Sequence, residues 1–191
     1  MALTPSTMLA LGTTAPDFNL PDPYGRLFSK DDFKNSRALL VLFICNHCPY
    51  VKHVRSELVH IGNDYQPRGV GIVAINANDA EKYPNDSPER MKQEIKEIGY
   101  PFPYLFDESQ SVAKAYCAAC TPDVFLFDKN FKLVYRGQVD DSRPGNELPL
   151  TGKDLRAALD SVLEERSVPD KQIPSIGCNI KWKPGNEPDY L

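Results

Sequence analysis

No apolar run in this 191-residue chain approaches the roughly 20 residues that a membrane-spanning helix requires. Positive charge is also short. The 22 Lys and Arg are outnumbered by 26 Asp and Glu, giving a formal charge of −4, and no basic stripe is present. Neither a membrane nor a nucleic acid is therefore expected as a partner. The opening MALTPSTMLALGTTAPDF has no Lys or Arg and only a broken apolar patch, which argues against a secretory signal and for a cytoplasmic protein. No nicotinamide or flavin fingerprint occurs, so no cofactor is expected and electrons should arrive through thiols. Solenoid-length repeats and low-complexity tracts are missing as well. Cysteine is sparse, with five residues, which does not suit a disulfide-stapled secreted scaffold.

The cysteines are few but patterned. Cys45/Cys48 and Cys117/Cys120 form two C-x-x-C pairs, and Cys178 stands alone near the C-terminus. In a reducing compartment such pairs read as redox-active or metal-binding. Two C-x-x-C pairs are also the recipe for a four-cysteine zinc site. The distance from Cys48 to Cys117, however, greatly exceeds the roughly 15–20 residues of a compact zinc module.

The first pair lies in LLVLFICNHCPYVKHV. The apolar run ALLVLFI (38–44) suits a strand buried on both faces. Pro49 then opens a helix with Val51, Val54, Leu58 and Ile61 at helical spacing. GVGIVAINAN (69–78) reads as the next buried strand. Ser87-Pro88 caps a second helix that runs to Ile98 and stops at Gly99. PYLFD (103–107) is a short strand, Ser109 to about Tyr116 a short helix, and DVFLFD with KLVYRGQV (123–139) a hairpin. KDLRAALDSVLEER (153–166) is an amphipathic helix, and APDFNLPDPYGRLFSKDDF (15–33) an N-terminal hairpin. The tail from Ser167 has four prolines and no period. It reads as an arm (167–191) packed on a domain of residues 1–166, with Trp182 as an anchor. This order implies an α/β fold with a mixed central sheet flanked by helices.

A strand running into C-x-x-C at a helix start is a thioredoxin-like arrangement. The helix N-terminus carries partial positive charge and free N–H groups, which favour thiolate over thiol. Cys45, the outer residue, is expected to be the attacking thiolate and Cys48 the resolving thiol. His47 between them can stabilise a thiolate when protonated.

The stretches APDFNLPDPYG, CNHCPYVKHV, NANDAEKYPNDSPERM, CTPDVFLFD and PSIGCNIKWK resemble the redoxin (alkyl hydroperoxide reductase/thiol-specific antioxidant-like) branch of the thioredoxin-like superfamily, over nearly the whole chain. The resemblance implies a thioredoxin-like fold and thiol–disulfide oxidoreductase activity. A protein or small-molecule disulfide would be the substrate, and a thiol reductant would restore the pair. It also implies a cis Pro122 facing Cys45, with the Thr121 backbone receiving an extended substrate segment. Cys117/Cys120 would then exchange disulfide with Cys45/Cys48 as an internal relay, and Cys178 would be a third thiol or simply packed. Two departures stand out. Thioredoxin proper has Trp before its first cysteine and an acid in the preceding strand, whereas here Ile44 precedes Cys45 and the strand has no acid. Peroxiredoxins place Thr or Ser three residues before the peroxidatic cysteine, and here Cys45 occupies that place relative to Cys48. A thiol peroxidase and a zinc-bound, non-catalytic binding protein remain the alternatives.

Overall fold

Ala38–Phe43 forms a strand buried at every residue, because its alternate side chains enter two different cores. Leu40 and Leu42 join one apolar cluster, and Leu39, Val41 and Phe43 the other. The computed structural model describes residues 3–190. In chain order its strands are β1 (Leu3–Pro5), β2 (Asn19–Pro21), β3 (Leu27–Ser29), β4 (Ala38–Phe43), β5 (Val70–Asn76), β6 (Tyr104–Phe106), β7 (Cys120–Thr121), β8 (Asp123–Asp128), β9 (Leu133–Tyr135) and β10 (Ile176–Asn179). The helices are α1 (Pro49–Tyr65), α2 (Pro88–Ile98), α3 (Ser111–Ala115) and α4 (Lys153–Leu163).

The central sheet runs β6-β5-β4-β8-β9. β4, β5 and β6 are parallel neighbours, and β8 and β9 continue antiparallel. Parallel neighbours need crossover connections, which α1 and α2 supply. Helices α1, α2 and α4 cover one face through residues such as Leu58, Met91 and Leu159. The other face is covered by α3, the segment around Phe18, and Ile180 and Trp182 of the tail. This is a thioredoxin-like fold with an N-terminal hairpin, β2–β3.

The helix ends follow local chemistry. Pro49 opens α1, where its missing N–H has no intrahelical partner. Ser87 caps α2, accepting from the Arg90 N–H, and Gly99 closes it in the left-handed conformation at φ 75°. Among the described residues no helix is long and apolar enough to cross a membrane.

The tail differs from the plain arm its composition suggests. β10 inserts between β1 and β7, antiparallel to both. Further bonds fasten the tail: the Gln138 N–H donates to Ile173 O (2.8 Å), Ser175 Oγ to Gly137 O (2.8 Å) and the Asp79 N–H to Lys181 O (2.8 Å).

Candidate active site

Register places the first cysteine pair. Phe43 at the end of β4 lies opposite Asp123 at the start of β8. Continuing both chains past that point brings Cys45 to Thr121. The Thr121–Pro122 peptide is cis, and Cys45 Sγ lies 3.3 Å from Thr121 Oγ1. Cys48 is the N-cap residue of α1, and its thiol donates to the Thr121 carbonyl at 3.1 Å. Both cysteines are buried, Cys48 completely.

The electrostatics place the resting charge of the pair. Cys48 is pulled down to about 4, first by a hydrogen bond from Cys45. Bonds from the Cys178 thiol, the Val51 N–H and the Thr121 hydroxyl add to this against the cost of burial. Cys45 is pushed well up by that same bond to Cys48, by burial and by the negative charge of Asp86. The pair thus titrates as a unit holding one negative charge. Its resting place is Cys48, at the helix N-terminus, and not the outer Cys45. One contact opposes this placement: Thr121 O accepts from a Cys48 thiol and repels a Cys48 thiolate. The shared proton therefore has a favourable position on either sulfur.

Sequence reasoning missed Asp86, which organises the loop around the pair. It sits in a short 3-10 turn, Pro84–Asp86, with no exposed surface. Its Oδ1 accepts from the Asn46 N–H (2.8 Å) and its Oδ2 from Asn78 Nδ2 (2.7 Å), while Asn76 Nδ2 donates to its carbonyl (3.0 Å). His47 Nδ1 is 2.6 Å from Asp86 Oδ2, and the imidazole stacks on Tyr83 at 5.8 Å. A carboxylate can only accept, so the proton lies on Nδ1 and Nε2 is left to exchange protons. Asp86 supplies from a loop the buried acid that β4 lacks. The signal was the run of Asn and Asp after a fully apolar strand, polar groups that need partners once buried.

The second pair is built differently. Cys120 is buried, its thiol directed at its own Pro122 carbonyl (3.5 Å). Burial, and then the charge of Asp123, pushes it well up. Cys117 has φ 48°, and its carbonyl accepts from Thr7 Oγ1 (2.9 Å) and Arg136 Nη2 (2.6 Å). The four paired cysteines do not gather into a zinc site. Among the described residues, the metal-ligating group of three or more is Cys45, His47 and Asp86, with ligand atoms within 4.8 Å of one another. Two zinc ligands at about 2 Å from the ion stand roughly 3.3 Å apart in a tetrahedron. The 2.6 Å between His47 and Asp86 suits a shared proton instead.

Cys178 hydrogen-bonds the first pair, while Cys120 meets Cys48 only through charge. Cys178 lies opposite Thr121 in the β10–β7 ladder, and its bond is to Cys48. β10 also occupies the main chain of Thr121, the edge expected to receive a substrate segment. A small pocket beside Pro122 is lined by Tyr50, His53, Val139, Ser142 and Arg143.

Comparison with known proteins agrees with this geometry. A thiol-disulfide oxidoreductase ResA from Geobacillus thermodenitrificans is 30% identical over 161 residues, 83% of this chain and 82% of that protein. The crystal structure of an uncharacterised conserved protein from Geobacillus kaustophilus superposes with a TM-score of 0.94 at 59% identity, covering 96% of this chain and 98% of that one. A putative thiol:disulfide interchange protein DsbE from Chlorobium tepidum shares the fold, with a TM-score of 0.66 at 21% identity over 81% of this chain and 99% of that one. The Redoxin profile matches residues 10–155, and the chain belongs to the Redoxin family.

Proposed function

We propose that the protein is a thiol–disulfide oxidoreductase whose Cys45–Cys48 pair passes two electrons to a protein or small-molecule disulfide and is restored by a thiol reductant. The observation that carries this reading is the convergence of both thiols on Thr121, with one negative charge shared between them at a helix N-terminus. The relative named as a thiol-disulfide oxidoreductase supports it.

The substrate disulfide approaches the pair from the side of Pro122. The Cys45 proton moves to Cys48, whose S–H then donates to Thr121 O. The Cys45 thiolate, bonded by the Thr121 hydroxyl, attacks one substrate sulfur and the substrate S–S bond breaks. The departing sulfur leaves as a thiolate. Cys48 then passes its proton by way of His47 Nε2, the ring held in place by Asp86, to that thiolate and attacks Cys45 Sγ. The mixed disulfide breaks, the second substrate sulfur leaves as a thiolate, and a Cys45–Cys48 disulfide remains. His47 acts here as a proton carrier, and Thr121 acts through its hydroxyl and not as a docking edge.

Cys45→Ser should abolish turnover of a model disulfide followed by coupled thiol release, because it removes the attacking sulfur. Full activity in that variant would remove Cys45 from the mechanism. The Thr121 hydroxyl beside Cys45 also suits a peroxide oxygen. Saturable peroxide consumption that survives Cys48→Ser would favour a thiol peroxidase instead. We place the protein in the cytoplasm, where thiol reductants are abundant, and subcellular fractionation checks this.

A further inference from the structure

We propose that Cys178 is a third redox thiol of this centre: it captures Cys48 from the Cys45–Cys48 disulfide, forming a Cys48–Cys178 bridge and leaving Cys45 as a single free thiol. This rests on the oxidoreductase reading above, but its geometry stands on its own observations.

β10 is fixed on both edges, to β1 and to β7, so Cys178 has a set position and is not at the end of a loose arm. Gly177 brings it close. A side chain there would put its Cβ 2.0 Å from Thr121 O, so only glycine lets β10 settle this far onto β7. The Cys48 thiol reaches the same Thr121 carbonyl from the α1 side, at 3.1 Å. Two sulfurs are thereby held against one residue from opposite elements, and they hydrogen-bond each other. Cys48 is the shared partner of Cys45 and Cys178.

The exchange is redox-neutral. A deprotonated Cys178 sulfur attacks Cys48 Sγ, a Cys48–Cys178 bond forms and the Cys45–Cys48 bond breaks. Cys45 leaves as a thiolate and takes up the proton that Cys178 released. No electron enters or leaves. In the reduced protein Cys178 is held protonated, pushed up to about 12 by burial and by its bond to Cys48 and the Cys48 charge. Once Cys48 is in a disulfide it has no charge, and the last two influences disappear. The positive charge of Lys181 remains to favour the Cys178 thiolate. Burial still opposes the Cys178 thiolate, but Cys178 gives up its proton more readily with the pair oxidised than with it reduced.

The consequence is a change of mode. With Cys48 held by Cys178, a mixed disulfide on Cys45 is no longer resolved from inside the site. It persists until a second thiol, from the substrate or a reductant, attacks it. Such a monothiol state suits disulfide exchange within a substrate in place of net reduction.

The test oxidises folded Cys45→Ser protein with diamide, quenches in acid, alkylates, and maps the peptides by mass spectrometry. The expected product links the Cys48 and Cys178 peptides in most molecules. Alkylation of both thiols, or a Cys48 bridge to Cys117 or Cys120, would overturn the proposal. In parallel, oxidised wild type should yield alkylated Cys45 from the Cys48–Cys178 form, and Cys178→Ala should lose that signal while keeping the Cys45–Cys48 bridge. Equal Cys45 alkylation in the two proteins would also overturn it. A missing Cys45–Cys48 bridge in Cys178→Ala would instead refute the parent oxidoreductase reading.

Discussion

At the residue scale, the site depends on where one proton sits. Cys48 is held near 4, against 9.0 for an ordinary thiol, so at neutral pH the reduced pair carries a thiolate that the disulfide lacks. Stabilising the reduced form makes the pair a stronger oxidant. The folded value lies below the unfolded one, so this stabilisation is complete above about pH 9 and is lost as pH falls to about 4. Between those limits, the stability advantage of reduced wild type over Cys48→Ser should grow with pH. Denaturant unfolding under reductant measures it, and thiolate ultraviolet absorbance should lose one step near pH 4 in wild type alone. A gap that stays flat with pH would place the charge elsewhere. The cysteine spacing was legible because a C-x-x-C after a buried strand is a local pattern. The charge distribution was not, because Asp86, Thr121 and Cys178 reach the pair only through tertiary folding.

At the element scale, the strands and helices that show a period in the chain are the ones that appear. β4 is an unbroken apolar run, α1 repeats apolar residues at helical spacing, and α2 has both its caps in plain view. β1 and β10 were illegible because strand formation depends on the edge a short segment meets. Ile-Gly-Cys-Asn has little strand character alone, and β10 forms because two edges are available to it. Gly177 is the residue on which this pairing turns. Gly177→Ala places a methyl group against the Thr121 backbone, which cannot swing aside as a flexible side chain can. The expected loss is at least the roughly 1–3 kcal/mol of an overpacked core, read as a lower denaturant midpoint. Cys178 should also become open to alkylation in the native protein as β10 lifts from β7. Unchanged stability together with an unreactive Cys178 would mean that β10 is not held as tightly as this contact implies.

At the scale of the whole molecule, Arg136 joins parts of the chain that are distant in sequence. Its guanidinium is fully buried, 3.5 Å from the equally buried Asp123 and 4.5 Å over the Phe125 ring. Nη2 donates to Cys117 O (2.6 Å), and its main-chain N–H donates to Gln172 Oε1 in the tail (2.7 Å). Sheet, second cysteine segment and tail thus meet at one residue. In the sequence Arg136 follows a hairpin strand, where an arginine is ordinarily solvent-facing; packing of the tail and the Cys117–Cys120 segment is what buries it. Asp123 answers the charge and also accepts from the Ala119 N–H (3.0 Å), so both sides of the pair shape the turn leading into Thr121. Removing one partner of a buried ion pair costs about 3–5 kcal/mol, whereas removing both charges is often nearly neutral. Arg136→Met should therefore lower unfolding stability by about that much, and adding Asp123→Asn, which keeps an acceptor for Ala119, should recover most of it. Urea unfolding of the two single variants and the double variant measures the coupling. If the single losses simply add in the double variant, Arg136 and Asp123 act independently, and the second cysteine segment is held by packing alone.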